Sequence, residues 1–256
     1  MIFRFKDQDI SYEDTGTGKP LLLLHGFLES KAMWHPLLDS LSDTFRVITV
    51  DLPGHGDSSV YSETHTMEFM SEVIFALIQQ LDLKKIHIIG HSMGGYVALA
   101  CLEQYSEYFT GITLLNSTTK ADSKERLKTR TAALKIIPTK SDLFIETAIP
   151  NLFAESSRSK HKDTIKAYIK EALKMSTTGI TAAIRGMMQR PDRSAVLRQF
   201  QGLKVWISGD EDPIMPVNQN VKLAKMTSAT HYSVTGGHIS VVESFDEIVK
   251  IVHFIE

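Results

Sequence analysis

The segment Ile86-His87-Ile88-Ile89-Gly90-His91-Ser92-Met93-Gly94-Gly95 decides the fold. Its first four residues form a short apolar run that predicts a strand buried on both faces. The rest contains the pattern G-x-S-x-G, which places a serine on a tight, strained turn between a strand and a helix. Side chains two residues before and after this serine would collide, so Gly90 and Gly94 must lack them. The segment therefore predicts that Ser92 is a nucleophile at the end of a strand.

Similar apolar runs recur along the chain and alternate with stretches of helical periodicity. The first 15 residues predict an opening hairpin, and further strands are predicted at 21–24, 45–50, 112–115, 204–207 and 231–234. Helices are predicted at 66–81, 96–108 and 241–254. Strands that alternate with helices form a mostly parallel sheet covered on both faces, so the predicted fold class is α/β.

Between residues 117 and 203 the strand pattern stops and the apolar spacing becomes helical. We predict a core domain of residues 1–117 and 204–256, with residues 118–203 inserted as a helical cap. Residues 120–198 hold 17 lysines and arginines against 8 acidic residues, whereas the remainder is strongly acidic. A basic cleft concentrates anions, which suggests a carboxylate or phosphate on the substrate or its leaving group. The competing interpretation is a set of solvated lysines on exposed helix faces.

A serine nucleophile needs a general base, and the base needs an acid that orients it. His238 follows the predicted strand that ends at Val234, and it is the candidate base. Asp212 follows the predicted strand before that one, and it is the candidate acid, with Asp210 and Glu211 as competitors. Ser, then Asp, then His is the order in which such a triad occurs on a sheet of this kind.

Attack on a carbonyl also requires backbone N–H groups that stabilise the developing oxyanion. The candidates are the amide of Met93, directly after the nucleophile, and that of Phe27, in the loop after the first parallel strand. Phe27, Leu28, Met187 and Met188 are candidates for the wall of an apolar substrate pocket, although core packing explains the methionines equally well.

Composition excludes several other classes of protein. The 256 residues carry a formal net charge of −2, which argues against a nucleic-acid partner. A single cysteine, Cys101, excludes an intrachain disulfide or a multi-cysteine metal site and is expected to be buried packing. Apolar runs are too short for a membrane span, and the first residues show no signal-peptide pattern. The expected location is the cytoplasm, and the expected assembly is a monomer or homodimer.

Together these motifs resemble the α/β-hydrolase fold superfamily. The matching stretches are His25-Gly26-Phe27, residues 51–58, residues 90–95, residues 209–216 and Gly237-His238. The resemblance implies an eight-stranded sheet, a helical cap after the sixth strand, a small-molecule acyl substrate, and neither metal nor organic cofactor. It assigns His55 and His91 to packing or support of the site. Position 92 is serine, which sets aside the relatives that use an aspartate nucleophile.

Three functions remain open at this point. The first is an esterase-like hydrolase of a small ester, thioester or lactone; the cofactor-free haloperoxidases share its triad. The second is a specialised C–C bond hydrolase or the menaquinone-pathway lyase (SHCHC synthase-like), which the basic cap favours. Tyr96 argues against that lyase, because the lyase family tends to carry arginine directly after the glycines that follow the nucleophile, here Gly94 and Gly95. The third is a non-catalytic or slow signal receptor built on the same fold.

Overall fold

The computed structural model of the protein describes residues 1–255, and its centre is a single eight-stranded sheet. The strands, in chain order, are β1 (Ile2–Phe5), β2 (Gln8–Thr15), β3 (Lys19–Leu24), β4 (Phe45–Val50), β5 (Ile86–His91), β6 (Phe109–Leu115), β7 (Leu203–Gly209) and β8 (Thr230–Val234). Their spatial order is β1-β2-β4-β3-β5-β6-β7-β8. Only the pairings made by β2, with β1 and with β4, are antiparallel. The predicted mostly parallel sheet is confirmed.

Helices cover both faces of this sheet. They are α1 (His35–Leu41), α2 (Met67–Gln80), α3 (Met93–Tyr105), α4 (Lys124–Ala148), α5 (Lys162–Ala172), α6 (Thr177–Gln189), α7 (Ser194–Gln199), α8 (Val217–Thr227), α9 (Ser240–Glu243) and α10 (Phe245–His253). Short 3₁₀ turns occupy Lys31–Trp34, Ser106–Tyr108 and Pro150–Leu152. Side chains of each strand alternate between two apolar layers, as the twofold strand period requires. Leu22, for example, packs in the layer of α2 and α3, and Leu21 in the layer of α1 and α10.

Two of the predicted helices differ from the helices in the structure. α3 begins at Met93 rather than at residue 96, because the turn at Ser92 leads directly into the helix. The predicted helix over 241–254 is two helices, since Ser244 adopts non-helical backbone angles (φ −132°, ψ 41°) between α9 and α10. The first difference lies at a helix end, where local sequence patterns are least informative, whereas the second is a break inside the predicted span.

The chain between β6 and β7 is helical and contains α4 to α7. α4 is kinked: Pro138 lies inside it, and Lys140 has non-helical angles (φ −143°, ψ 44°). Proline cannot donate the helical hydrogen bond, and its ring crowds the preceding turn. Pro138 therefore weakens α4 next to the break at Lys140. α4 packs against α6, and residues on both sides of its kink line a cavity that also contains Ser92, the residue after β5.

Candidate active site

Ser92 sits on a strained turn between β5 and α3. Its backbone has φ +49° and ψ −112°, a region that side-chain-bearing residues rarely occupy. A Cβ on Gly90 would collide with the Gly94 carbonyl, and a Cβ on Gly94 would collide with that of Leu24. The Ser117 hydroxyl donates to the Ser92 carbonyl at 2.7 Å and helps to hold the turn. The strain is therefore fixed by packing that only glycine permits on either side.

The structure brings Ser92, His238 and Asp212 together at the carboxyl edge of the sheet. The Ser92 hydroxyl lies 2.8 Å from His238 Nε2, and His238 Nδ1 lies 2.8 Å from Asp212 Oδ2. A carboxylate only accepts hydrogen bonds, so Nδ1 carries the proton and Nε2 is left to accept from the serine. The imidazole is thus oriented to take the serine proton.

Asp212 occupies a site that favours its ionised form. Besides His238, its carboxylate accepts from the Ile214 and Met215 amides at 2.8 and 2.9 Å and from Asn116 Nδ2 at 2.9 Å. Burial alone would raise the pKa of Asp212, but His238 and these donors lower it overall. An ionised carboxylate at this position can balance a positive charge on the His238 imidazole.

The two competing carboxylates lie elsewhere. Asp210 accepts from the Gly236 amide at 2.8 Å. Glu211 is exposed and accepts from the Ser156 hydroxyl at 2.8 Å. Of the three acidic residues in this loop, Asp212 is the one that reaches the imidazole.

The candidate oxyanion donors flank Ser92. Met93 is the first residue of α3, so its amide has no acceptor within the helix. Phe27 lies in the loop that follows β3, next to Leu28, and both line the cavity that contains Ser92 and His238. Because the amino end of α3 is directed at this cavity, its dipole also favours a negative charge there.

A second buried network supports this site, and its acidic member was not among the predicted site residues. Glu29 Oε2 lies 2.9 Å from His91 Nδ1 and accepts from the Gly26 amide at 2.5 Å. His91 Nε2 lies 2.8 Å from the backbone carbonyl of His238. Both nitrogens of His91 thus face groups that only accept, which requires the doubly protonated ring.

Electrostatics agree with that assignment. Burial opposes charge on His91, yet the Glu29 carboxylate raises the pKa of the imidazole overall; the same pairing lowers the pKa of Glu29. Through this ion pair, the loop that contains Phe27 is connected to the backbone of the candidate base. His91 therefore contacts the backbone of the candidate base and not Ser92 itself, whereas only the position of Glu29 three residues after Gly26 could have suggested its place in this network.

The cavity beside Ser92 has a volume of about 240 Å³. Phe27, Leu28 and Met187 line it as predicted, whereas Met188 does not and packs against the hydrophobic core instead. Met188 follows Met187 on α6, and consecutive helix positions point about 100° apart, so the two side chains cannot share one face. The lining also contains Glu29, Arg126, Arg130 and Asn151, which were not singled out from the sequence.

His55 and Cys101 take no part in the hydrogen bonds that join Ser92, His238 and Asp212. His55 packs against His25 and Phe27, and burial lowers its pKa to about 3. Cys101 is fully buried on α3, where burial raises the pKa of its thiol. In residues 1–255, no three histidine, cysteine or carboxylate side chains converge as a metal site would require. The same residues include no helix that is long and apolar enough to span a bilayer.

Comparison with known proteins defines the class of this protein. A model of the α/β-hydrolase fold family matches residues 19–245. A thermophilic esterase from Thermogutta terrifontis, solved with malate bound, superposes with a TM-score of 0.91 at 31% identity, covering 96% of this chain and 92% of the esterase. The chain therefore belongs to the α/β-hydrolase fold family.

The chain covers different shares of the length of two curated relatives. The dihydrolipoyllysine-residue acetyltransferase component of the acetoin cleaving system of Pseudomonas putida is 32% identical over 78% of this chain, which spans only 54% of that component. The 3-oxoadipate enol-lactonase 1 of Acinetobacter baylyi is 24% identical over 86% of the chain and 81% of the lactonase. The chain thus corresponds to about half of the first relative and to most of the second.

Proposed function

We propose that the protein is a serine hydrolase that cleaves a small ester, thioester or related acyl bond through a covalent acyl-enzyme. The observation that carries this proposal is the continuous hydrogen-bond chain from Ser92 through His238 to Asp212. The esterase and lactonase among its relatives support the same class of substrate.

In the first half of the reaction, His238 Nε2 takes the Ser92 proton while the serine oxygen attacks the carbonyl carbon. The carbonyl oxygen becomes an oxyanion beside the amides of Phe27 and Met93, each of which stabilises it by about 3–4 kcal/mol. His238 then gives the proton to the departing alkoxide or thiolate, and the acyl group stays on Ser92.

In the second half, water replaces the alcohol or thiol. His238 takes a proton from the water as its oxygen attacks the acyl-enzyme, and then returns the proton to the serine oxygen. The products are a carboxylic acid and free enzyme, and Asp212 remains ionised throughout because it pairs with the charged imidazole.

Turnover of p-nitrophenyl acetate and p-nitrophenyl butyrate tests this proposal. We expect release of p-nitrophenol by the native protein and its loss in Ser92→Ala, with both proteins showing the same thermal unfolding midpoint. An inactive native protein over a broad panel of esters, thioesters and lactones would reject the proposal in favour of C–C bond cleavage, lyase chemistry or signal binding.

A further inference from the structure

Two arginines line the cavity that holds Ser92. Arg126 and Arg130 lie one turn apart on α4, so both side chains project from the same face of the helix. Most of the surrounding wall is apolar and includes Phe27, Phe144 and Met187. Positive groups in an otherwise apolar small-molecule cavity are the kind of polar contact that orients a ligand.

The charge of Arg130 is only partly balanced. Its Nε lies 2.7 Å from Asp122 Oδ2, but Arg190 also claims this carboxylate, with NH1 2.8 Å from Oδ1. The Asp122 side chain is 1% exposed, so one buried carboxylate serves two guanidinium groups. Burial lowers the pKa of Arg130, although Tyr96 and Asp122 oppose that change.

Arg126 has no acidic partner among residues 1–255. Its hydrogen bond goes to the backbone carbonyl of Ile214, at 2.8 Å, which is a neutral acceptor. A guanidinium has five N–H donors in a planar fork, so most of those on Arg126 remain free for a ligand. Among residues 1–255, Glu29 is the one carboxylate in the cavity wall, and it already pairs with His91.

The cavity therefore holds a local excess of positive charge close to the nucleophile. Removing such charge from water is costly unless an anion compensates it, and the protein supplies too few carboxylates to do so. A guanidinium fork matches the two oxygens of a carboxylate and can bind both of them.

We propose that Arg126 and Arg130 bind a carboxylate of the substrate, so that the enzyme acts on esters or thioesters that carry a carboxylate away from the scissile carbonyl. This inference rests on the proposed function, because it takes Ser92 as the attacking group. The carboxylate belongs either to the acyl group or to the leaving alcohol, and two substrate pairs separate these cases.

The first pair is mono-p-nitrophenyl adipate and its methyl ester, which differ in a charge on the acyl side. The second pair is 4-acetoxybenzoate and its methyl ester, which differ on the alcohol side. We expect the native protein to have a kcat/KM at least about 10-fold higher for the anionic member of one pair, after subtraction of spontaneous hydrolysis.

Arg126→Gln should reduce this preference by about 10- to 100-fold, since it removes charge-assisted hydrogen bonds to the carboxylate. Arg126→Lys should restore part of it. Lys128→Gln is the matched control, because it removes one positive charge from an exposed position on the same helix, outside the cavity lining. A preference that is absent from both pairs, or that falls equally in Lys128→Gln, would overturn the proposal.

Binding gives a readout that does not depend on turnover. Calorimetry with Ser92→Ala should detect binding of adipate for an acyl-side carboxylate or of 4-hydroxybenzoate for an alcohol-side one, with affinity lost in the Ser92→Ala, Arg126→Gln double variant. If no ester is hydrolysed but this binding is seen, the hydrolase proposal fails and the carboxylate site stands. If esters are hydrolysed but neither adipate nor 4-hydroxybenzoate binds, or inorganic phosphate binds more tightly than both, the carboxylate site is wrong and the hydrolase proposal stands.

Discussion

The two sides of the cavity are built in different ways. The sheet side carries Ser92, Asp212 and His238, each in a short loop directly after a parallel strand. The cap side carries Arg126 and Arg130, which sit on α4, a long helix in the segment between β6 and β7. The three side chains on the first side are hydrogen-bonded to one another, whereas the second side has more guanidinium groups than carboxylate partners. The comparison suggests that the sheet side performs the chemistry and the cap side selects the substrate.

The largest expected effect comes from the sheet side. Ser92→Ala and His238→Ala should each reduce kcat by about 10⁴- to 10⁶-fold, with little further loss in the double variant, because the two groups act in one step. Steady-state kinetics with p-nitrophenyl butyrate measures all three proteins. Losses that multiply in the double variant would mean that the two residues act separately.

The next largest effect is expected for Asp212→Asn. This substitution should reduce kcat by about 10⁴-fold, because asparagine cannot hold the imidazole in the reactive tautomer. The adjacent Glu211→Gln is its matched control, since Glu211 is exposed and does not reach His238. Kinetics of the two variants decide between these carboxylates, and comparable losses in both would remove the special role of Asp212.

A smaller effect is expected at Glu29, which acts through His91 as a positioning residue. Glu29→Gln should lower kcat by about 10- to 100-fold, with a smaller change in KM, because it loosens the link between the oxyanion loop and the His238 backbone. It also leaves the His91 charge buried without a partner. In Glu29→Gln, His91→Asn the stability loss should be smaller than the two single losses combined. An additive stability loss would contradict the ion pair.

The smallest expected effect is the pH dependence of stability. The pKa of His91 is raised on folding, so its contribution is complete below the ordinary value of 6.5 and is lost as pH rises through the raised pKa. The pKa of Glu29 is lowered, so its contribution is lost as pH falls through a value below 4.5. Denaturant unfolding from pH 2 to 9 should show both limbs in the native protein and a weaker alkaline limb in Glu29→Gln. Identical profiles for the two proteins would argue that the pair carries no charge.

Sequence patterns were sufficient to predict the site residues on the sheet side but not those on the cap side, and the reason is physical. Buried strands leave continuous apolar runs, and parallel strands end at one edge, so residues that follow them converge there. Ser92, Asp212 and His238 could therefore be placed together without coordinates. Arg126 lies in a helix whose register against the sheet depends on long-range packing and on the break after Pro138, which no local pattern reports. The excess of positive charge in residues 120–198 was visible, but not which of its side chains face Ser92.

The central claim is that Ser92 is a nucleophile activated by His238, and stoichiometric labelling with a small dialkyl fluorophosphate tests it most directly. Mass spectrometry of the intact and digested protein should find one adduct per chain, located on Ser92, and labelling should be slower by orders of magnitude in His238→Ala. An adduct on another residue, or an unchanged rate in His238→Ala, would contradict the claim.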